Sequence, residues 1–550
     1  MPPAAGVFDV AAENVVPLLT PTEFYDTLLA GVSSARSRVS LSSLYVGTGT
    51  KEVALMAALQ RAAAAAVSEQ SRSTGGGGSG LQIAIHLDHS RALRPLSAKS
   101  YANAPPGAPP VAPTYSCSAA LLLELKRAVP AGCDVDVSFT LMPQLRGALG
   151  VLLPPRWVEG AAVFHIKAYA WDDCVLLTGA NLSDDYFTAR QDRYVLIRNE
   201  PAFASYIHGV IDALRRLPGT PRLRADGVVA ADGTPSPPPT GGTPSSSSLP
   251  PIVSIRPGLG VFNAYVLALR ALLRRASSAA EVAVRADGTV ALPPPGRATL
   301  APRLQLGWLG VRADEAATLQ LFARLPPAPA ARTHDKGWRG VLHMATGYFN
   351  LPGRYARAVV DGSAATSHHL LTSAPAANGF LGGAGMSAAI PLCYSIIEGR
   401  FVARVAAARR AHDNPTAAPA APGVTMYEYS RPGWTFHGKG LWLALHCGDT
   451  TSNASAPPDA MLTFVGSPNF GRRSVSRDLE LQVEVATSDA GLVRRLGAER
   501  AALFSSGANG QVVTPMTPAD FAAPDRNPSG SSLATGQWIH LGWRLFSPFF

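Results

Sequence analysis

The stretch Phe164–Tyr194 reads FHIKAYAWDDCVLLTGANLSDDYFTARQDRY, and its elements return as WTFHGKGLWL (Trp434–Leu443) followed by GSPNFGRRSVSRDLE (Gly466–Glu480). Each copy carries His-x-Lys (His165 and Lys167; His437 and Lys439), a β-rich run, a small-residue turn ending in Asn (Asn181; Asn469) and then a carboxylate (Asp192; Glu480). The step from Asn to the acid is 11 residues in both. The step from His to Asn is 16 in the first and 32 in the second, where the low-complexity segment Thr450–Pro458 intervenes. With 12 histidines and so few lysines in 550 residues, chance supplies about 0.13 His-x-Lys matches. Two, in matched surroundings, mark an internal repeat.

A single His-x-Lys on a strand puts both side chains on one face, which is most often a solvated edge. The duplicated set points to phosphoryl chemistry instead. A neutral imidazole can attack phosphorus, and a charged one can protonate a leaving oxygen. Lysine supplies positive charge to the phosphoryl oxygens, and Asn181, Asn469 and Ser467 offer them hydrogen bonds. A carboxylate on the far imidazole nitrogen fixes its tautomer, the expected part for Asp192 and Glu480. Two copies provide one nucleophile and one general acid. The scheme needs no metal and no cofactor.

The residues His165-Ile-Lys167, four more and then Asp172, with the Gly-Ala-Asn and Gly-Ser-Pro-Asn turns, resemble the signature of the phospholipase D superfamily. The second copy departs from it, with Ala444 at the aspartate position. That departure, with the three strings quoted above and with SLYVGTG (Ser43–Gly49) and ATGYFNL (Ala345–Leu351), is similar to the eukaryotic phosphatidylglycerophosphate synthase branch; the likeness spans about residues 38–485. The resemblance implies two phospholipase D-like α/β-sandwich halves with pseudo-twofold symmetry and one shared active site. It implies transfer of the phosphatidyl group of CDP-diacylglycerol to glycerol 3-phosphate through a phosphohistidine, releasing CMP, at the first committed step toward phosphatidylglycerol and cardiolipin. His165 would be the nucleophile and His437 the general acid, with Lys167, Lys439 and Asp172 completing the catalytic set. A peripheral place on the mitochondrial inner membrane also follows from the family. The alternatives are another enzyme of the superfamily (phosphatidylserine synthase, cardiolipin synthase, phospholipase D or nuclease) or a non-catalytic lipid-binding protein.

The acceptor carries its own phosphate, so an arginine near the pocket is expected; Arg190, Arg193, Arg472, Arg473 and Arg477 flank the motifs. Gly47-Thr-Gly-Thr-Lys51 lacks phosphate-loop spacing and reads as a strand-to-helix turn. Gly382-Gly383-Ala-Gly385 reads as a loop, and His86 and His89 as structural residues.

The rest of the chain frames this site. A length of 550 residues favours more than one domain-sized unit. A hydrophobic fraction of 47% with 16% charged residues excludes global disorder. The formal charge of +10 favours anionic partners, here an anionic membrane surface; no groove of basic and stacking aromatic residues is evident, so no nucleic acid is expected. Five scattered cysteines make neither a disulfide framework nor a thiolate metal site. No apolar run reaches the roughly 18 residues of a spanning helix; the best, Val261–Leu273, is short and contains Arg270. The N-terminus resembles neither a signal peptide nor an arginine-rich transit peptide.

Alternating strand-like and helix-like runs predict α/β layers. The Pro/Ser/Gly/Thr-rich window 225–251 reads as a disordered linker, dividing a first half (1–224) from a second (252–510). Further low-complexity insertions fall at Ser71–Gly80, Ala102–Pro113 and Pro415–Pro422. The tail 511–550 ends in QWIHLGWRLFSPFF (Gln537–Phe550), whose aromatics suit a membrane-interface anchor.

Overall fold

The computed structural model describes residues 5–72, 80–96, 114–145, 160–232, 234, 251–285, 289–324, 338–362, 366–381, 390–412, 423–447, 457–507, 509–523 and 526. Most of the low-complexity insertions, the glycine cluster at 382–385 and the aromatic tail Gln537–Phe550 lie outside them.

Two large sheets dominate. The first runs, edge to edge, Val253–Ser254, Val228–Ala230, Arg222–Leu223, Asp134–Thr140, Gln82–Asp88, Arg38–Ser43, Ala168–Trp171, Cys174–Thr178, Tyr194–Ile197 and Val15–Leu18. The second runs Phe8–Ala11, Arg297–Leu306, Glu480–Thr487, Ala460–Gly466, Gly440–Cys447, Trp338–Ala345, Ser367–Ser373, Val424–Ser430 and Val512–Met516, with Val311–Arg312 beside Arg297–Leu306.

The repeat seen in the motifs extends to the architecture. Arg38–Ser43, Gln82–Asp88 and Asp134–Thr140 pair in parallel, as do Trp338–Ala345, Ser367–Ser373 and Val424–Ser430. On the other side of Arg38–Ser43 and of Trp338–Ala345 come three antiparallel strands, the first two bracketing a hairpin. The parallel strands are joined through helices such as Thr50–Arg72 and Ser118–Ala128, the crossover that parallel pairing requires. Ala168–Trp171 and Glu480–Thr487 are buried along their whole length. Ala168–Trp171 reads as the apolar run of a strand covered on both faces, whereas Glu480–Thr487 alternates and buries Glu480, Gln482 and Glu484.

The core shows why the two sheets make one body. Leu177, Val195 and Ile197 of the first sheet share a cluster with Trp442, Val465 and Val483 of the second. Helices Pro201–Arg215, Leu259–Ala276 and Ala490–Phe504 contribute Ile207, Leu269 and Leu496 to the same cluster. Separate cores lie behind each sheet.

The halves are more interwoven than a boundary at 224/252 implies. Phe8–Ala11 pairs with Arg297–Leu306 in the second sheet, while Val15–Leu18 pairs with Tyr194–Ile197 in the first. The expected linker is ordered at its start: Val228–Ala230 is a buried strand, and Val253–Ser254 pairs with it in parallel. The reason is local. Val228, Val229 and Ala230 form a short apolar β-run hidden inside a window whose average composition is polar. At the other end Val512–Met516 closes the second sheet against Val424–Ser430, so the tail segment from 511 begins as a strand.

Arg193 pins the two halves. Its Nε and Nη2 donate to Glu499 at 2.6 and 3.0 Å, its Nη1 to Phe464 O at 2.7 Å and Nη2 to Thr463 Oγ1 at 2.7 Å. Its guanidinium lies 4.0 Å over the Trp442 ring, and Trp442 Nε1 donates to the same Glu499 at 2.9 Å. Arg193 is therefore a saturated structural cation, contrary to its expected role at the acceptor phosphate. Removing one partner of a buried ion pair costs about 3–5 kcal/mol. Arg193→Ala is expected to lose that much in urea unfolding, and a loss under about 1 kcal/mol would contradict the pinning role.

Candidate active site

Each His-x-Lys lies in an extended lead-in to a hairpin strand, not inside the strand itself: His165 and Lys167 precede Ala168–Trp171, and His437 and Lys439 precede Gly440–Cys447. These lead-ins pair across the molecule. Phe164 bridges in parallel to Leu479, with His165 N donating to Leu479 O at 2.8 Å. Thr435–Phe436 pairs in parallel with Arg190–Gln191, with His437 N donating to Gln191 O at 2.7 Å.

That backbone pairing decides the side-chain partners. His165 Nδ1 lies 2.9 Å from Glu480 Oε2, and His437 Nδ1 lies 2.6 Å from Asp192 Oδ2. Each histidine is held by the carboxylate of the opposite copy, a crossing the linear order of motifs does not disclose. An ionised carboxylate can only accept, so His165 Nδ1 carries the proton and its Nε2 keeps the lone pair. His437 Nδ1 stands between Asp192 Oδ2 and Lys439 Nζ, the latter at 2.7 Å, and takes the same tautomer when it donates to Asp192.

Burial and charge hold both rings neutral. Burial pushes His165 below the usual histidine range against the pull of Glu480. Burial, then Lys439, Arg190 and Lys167, push His437 well below it. The carboxylates differ. Burial raises Asp192 to about 6 against the lowering effect of Lys439 and the Arg193 N–H. Burial also opposes ionisation of Glu480, but His165, Lys167 and Ser467 outweigh it and hold Glu480 below its ordinary value. Ser467 is part of the cause: its Oγ donates to Glu480 Oε2 at 2.5 Å, whereas the first copy has Gly179 at that place, also 13 residues before its carboxylate. The hydroxyl expected on the phosphate is thus spent on the carboxylate behind the histidine.

Lys167 and Lys439 are fully buried, each folded onto the backbone carbonyl of its own histidine, at 2.9 and 3.1 Å. Burial lowers both lysines from their usual value, with Glu480 and Asp192 opposing. Asn181 Nδ2 donates to Tyr186 Oη at 3.1 Å, and the carboxamide oxygens of Asn181 and Asn469 are buried without partners. Unspent capacity of that kind is costly unless something polar enters.

Asp172 is not part of this cluster. It sits at φ 43° in the turn between Ala168–Trp171 and Cys174–Thr178. Its carboxylate accepts from Arg36 N, Ser37 N, Ser37 Oγ and Arg38 N at 2.9, 2.9, 2.7 and 3.2 Å. It ties the hairpin turn to the start of strand Arg38–Ser43. In the second copy the strand runs on to Cys447, so Ala444 falls mid-strand opposite Met461 and Val341, where there is no turn to tie.

Among the arginines, Arg473 pairs with Asp478 at 3.1 Å, and Arg472 is exposed on the short helix Arg472–Ser476. Arg477 passes its carbonyl to Gln144 Nε2 at 2.9 Å. Only Arg190 of the five both adjoins His437 and faces aromatic hydroxyls: it lies 4.7 Å over the Tyr186 ring, donates to Thr435 Oγ1 at 2.9 Å and is influenced by Tyr348 and Tyr45.

The motif reading missed the tyrosines. Tyr186 Oη lies 3.3 Å from His437 Nε2, and the rings of Tyr186 and Tyr348 meet the His437 ring edge-on at 5.1 and 5.4 Å. Tyr186 was visible in the quoted string, five residues past Asn181; its counterpart in the second copy is Ser474, so comparing the copies could not pick it out.

Glycine allows the close approach. A Cβ on Gly179 would lie 2.6 Å from Asp192 Oδ1 and 2.7 Å from Lys439 Nζ, and one on Gly347 would lie 2.8 Å from His437 Cα. His86 and His89 are structural, bonded to Ser138 and Thr140 and to Ser254. Lys51 lies 4.1 Å over the Tyr25 ring, and its turn opens helix Thr50–Arg72.

Comparison with known proteins shows the family and the fold. The human mitochondrial CDP-diacylglycerol–glycerol-3-phosphate 3-phosphatidyltransferase is 31% identical over 503 residues, 90% of this chain and 78% of that protein. The chicken mitochondrial enzyme of the same name is 30% identical over 90% of this chain and 79% of its own length. The chain belongs to this phosphatidyltransferase family. The Saccharomyces cerevisiae member is 26% identical over 96% of this chain and 88% of its own. A Haemophilus influenzae phosphatidylserine synthase structure superposes with a TM-score of 0.65 at 15% identity, covering 99% of this chain and 96% of that one. It shows the fold: the two-sheet α/β architecture. No family model matches the chain.

The crossed pairs give a pH prediction. Below about pH 6 Asp192 takes up a proton and ceases to hold the His437 Nδ1–H, so kcat is expected to fall through an acid limb near that value. Asp192→Asn should lower kcat by about 100-fold or more, in the range of general acid–base contributions, and remove the limb from the pH–rate profile. A variant that keeps the limb would contradict its assignment to Asp192.

Proposed function

We propose that this chain transfers the phosphatidyl group of CDP-diacylglycerol to glycerol 3-phosphate, giving phosphatidylglycerophosphate and CMP. The observation that carries the reading is the pair of buried imidazoles, each with Nδ1 fixed by the opposite copy's carboxylate, in a chain about 30% identical to enzymes of that name over most of its length.

In the first step His165 Nε2 attacks the phosphorus bearing diacylglycerol. The bond from that phosphorus to the CMP oxygen breaks and CMP leaves as the anion, because neutral His437 has no proton to give at Nε2. Phosphate monoesters have a second pKa of about 6, so CMP leaves with little proton assistance. In the second step neutral His437 takes the proton of the acceptor's sn-1 hydroxyl. That oxygen attacks phosphorus, the P–N bond breaks and His165 returns, and His437, whose basicity is depressed, gives the proton up to solvent. The strongly depressed basicity of His437 suits this second role, since it must be unprotonated when the acceptor arrives. Lys167, Lys439, Asn181 and Asn469 hold the phosphoryl oxygens. Glu480 and Asp192 keep the imidazoles oriented.

Arg190 takes the acceptor's phosphate, with Tyr186 and Tyr348 beside it. The enzyme works peripherally on an anionic membrane surface, at the mitochondrial inner membrane. The relatives named mitochondrial support the organelle. Among the described residues no helix is long and apolar enough to cross a membrane.

CMP release from CDP-diacylglycerol in detergent micelles with EDTA, with and without glycerol 3-phosphate, tests the reaction. Release that requires the acceptor is expected, and equal release without it would identify a hydrolase. Arg190→Ala should raise the KM for glycerol 3-phosphate at least tenfold while moving the KM for CDP-diacylglycerol little. An unchanged acceptor KM would remove Arg190 from the acceptor site.

A further inference from the structure

Helix Leu259–Ala276 (LGVFNAYVLALRALLRRA) buries Phe262, Tyr265, Leu269, Leu272 and Leu273 in the core shared by the two sheets. Its outer face would ordinarily be polar. Instead Leu259 and Leu267 are 61% and 68% exposed. At 3.6 residues per turn these two share one arc with Ala264, Ala271, Arg270 and Arg274. The helix has three arginines and no acidic residue.

A third large apolar side chain joins this arc from another element. Trp308 is 63% exposed in the turn after strand Arg297–Leu306. A Cβ on nearby Gly310 would lie 3.8 Å from Arg274 Nη2 and 3.9 Å from Arg270 Nη2, so the turn and the helix form one surface. Its position is also informative. Gln305 stands opposite Glu480 in the sheet, and a Cβ on Gly307 would touch Val475 O. Trp308 therefore emerges at the end of the sheet that carries the crossed histidine–carboxylate row, beside the short helix of the second motif.

From this juxtaposition we infer that the outer face of Leu259–Ala276, with Trp308, is a docking surface for a bilayer containing anionic phospholipid; the choice of occupant rests on the phosphatidyl-transfer reading. Exposed leucines with tryptophan at the level of the headgroups are the composition of an interfacial helix. Arginine stems cover apolar surface while the guanidiniums reach phosphates. Charge complementarity selects the lipid: Arg270 and Arg274, on a helix with no acidic residue, favour an acidic leaflet. A lipid substrate whose acyl chains stay in that leaflet then meets the cleft from the docked side.

Sedimentation of the full chain with vesicles of phosphatidylcholine alone, or mixed with phosphatidylserine, tests this without any substrate. The wild type is expected to bind the mixed vesicles more tightly. A cation near an anionic leaflet contributes about 1 kcal/mol, or about fivefold in partitioning, so Arg270→Gln with Arg274→Gln should weaken binding about 25-fold. Leu267→Glu with Trp308→Glu should weaken it by at least as much. Both variants should keep the wild-type melting temperature and the CMP release seen in detergent micelles. Unchanged sedimentation of both variants would overturn the proposal, as would failure of the wild type to bind. A wild-type dimer that Leu267→Glu with Trp308→Glu converts to a monomer would make the face a self-interface and also overturn it. A protein that docks as expected but never releases CMP would overturn the transfer reading and not the docking face.

Discussion

Each His-x-Lys histidine takes its carboxylate from the opposite copy of the repeat, and the rest of the structure serves to keep those two crossed bonds in register. His165 to Glu480 and His437 to Asp192 are backed by matching backbone bridges between the two lead-in segments. A shift of one half against the other would break both pairs together. The shared core, the N-terminal segment stitched into both sheets and the Arg193–Glu499–Trp442 pin all oppose that shift. An isolated half could not assemble the site, because neither histidine would find its orienting group.

The copies have nevertheless diverged, and the divergence is chemical. Ser467 gives Glu480 a hydroxyl donor that Asp192 lacks, so the two carboxylates hold their charge to different pH values. The His437 ring is hemmed by Lys439, Arg190 and two tyrosines. One ring is thus tied to a firmly ionised acid and the other to a titratable one in a more cationic setting. That is a physical basis for two histidines in one site doing different work. The aspartate missing from the second copy leaves no turn unsupported: Asp172 ties a turn, and the longer strand through Ala444 has none there.

Much of this was legible in the residues. The duplicated His-x-Lys, the matched step from Asn to acid and the alternating element pattern were enough for two repeated α/β halves around one site, and the strands through Val175–Thr178 and Met461–Val465 fall where their β-rich runs placed them. The crossing of partners was not legible, because pairing between lead-in segments is a long-range property and either acid satisfies the local spacing. Arg193 could not be told from Arg190 for the same reason. Both flank the motif, but their fates depend on what the second sheet presents three hundred residues away. The buried strand Val228–Ala230 was masked by the composition of its window, and Tyr186 by the lack of a matching residue in the second copy.

One active centre per chain, with a single histidine that becomes covalently loaded, is the claim on which the account stands. Rapid mixing of enzyme with CDP-diacylglycerol in the absence of acceptor, followed by alkaline quench and peptide mapping, measures it directly. The account predicts a burst of CMP close to one equivalent per chain and a phosphatidyl adduct confined to the peptide containing His165. A burst of two equivalents, or adducts on the His165 and His437 peptides alike, would contradict it.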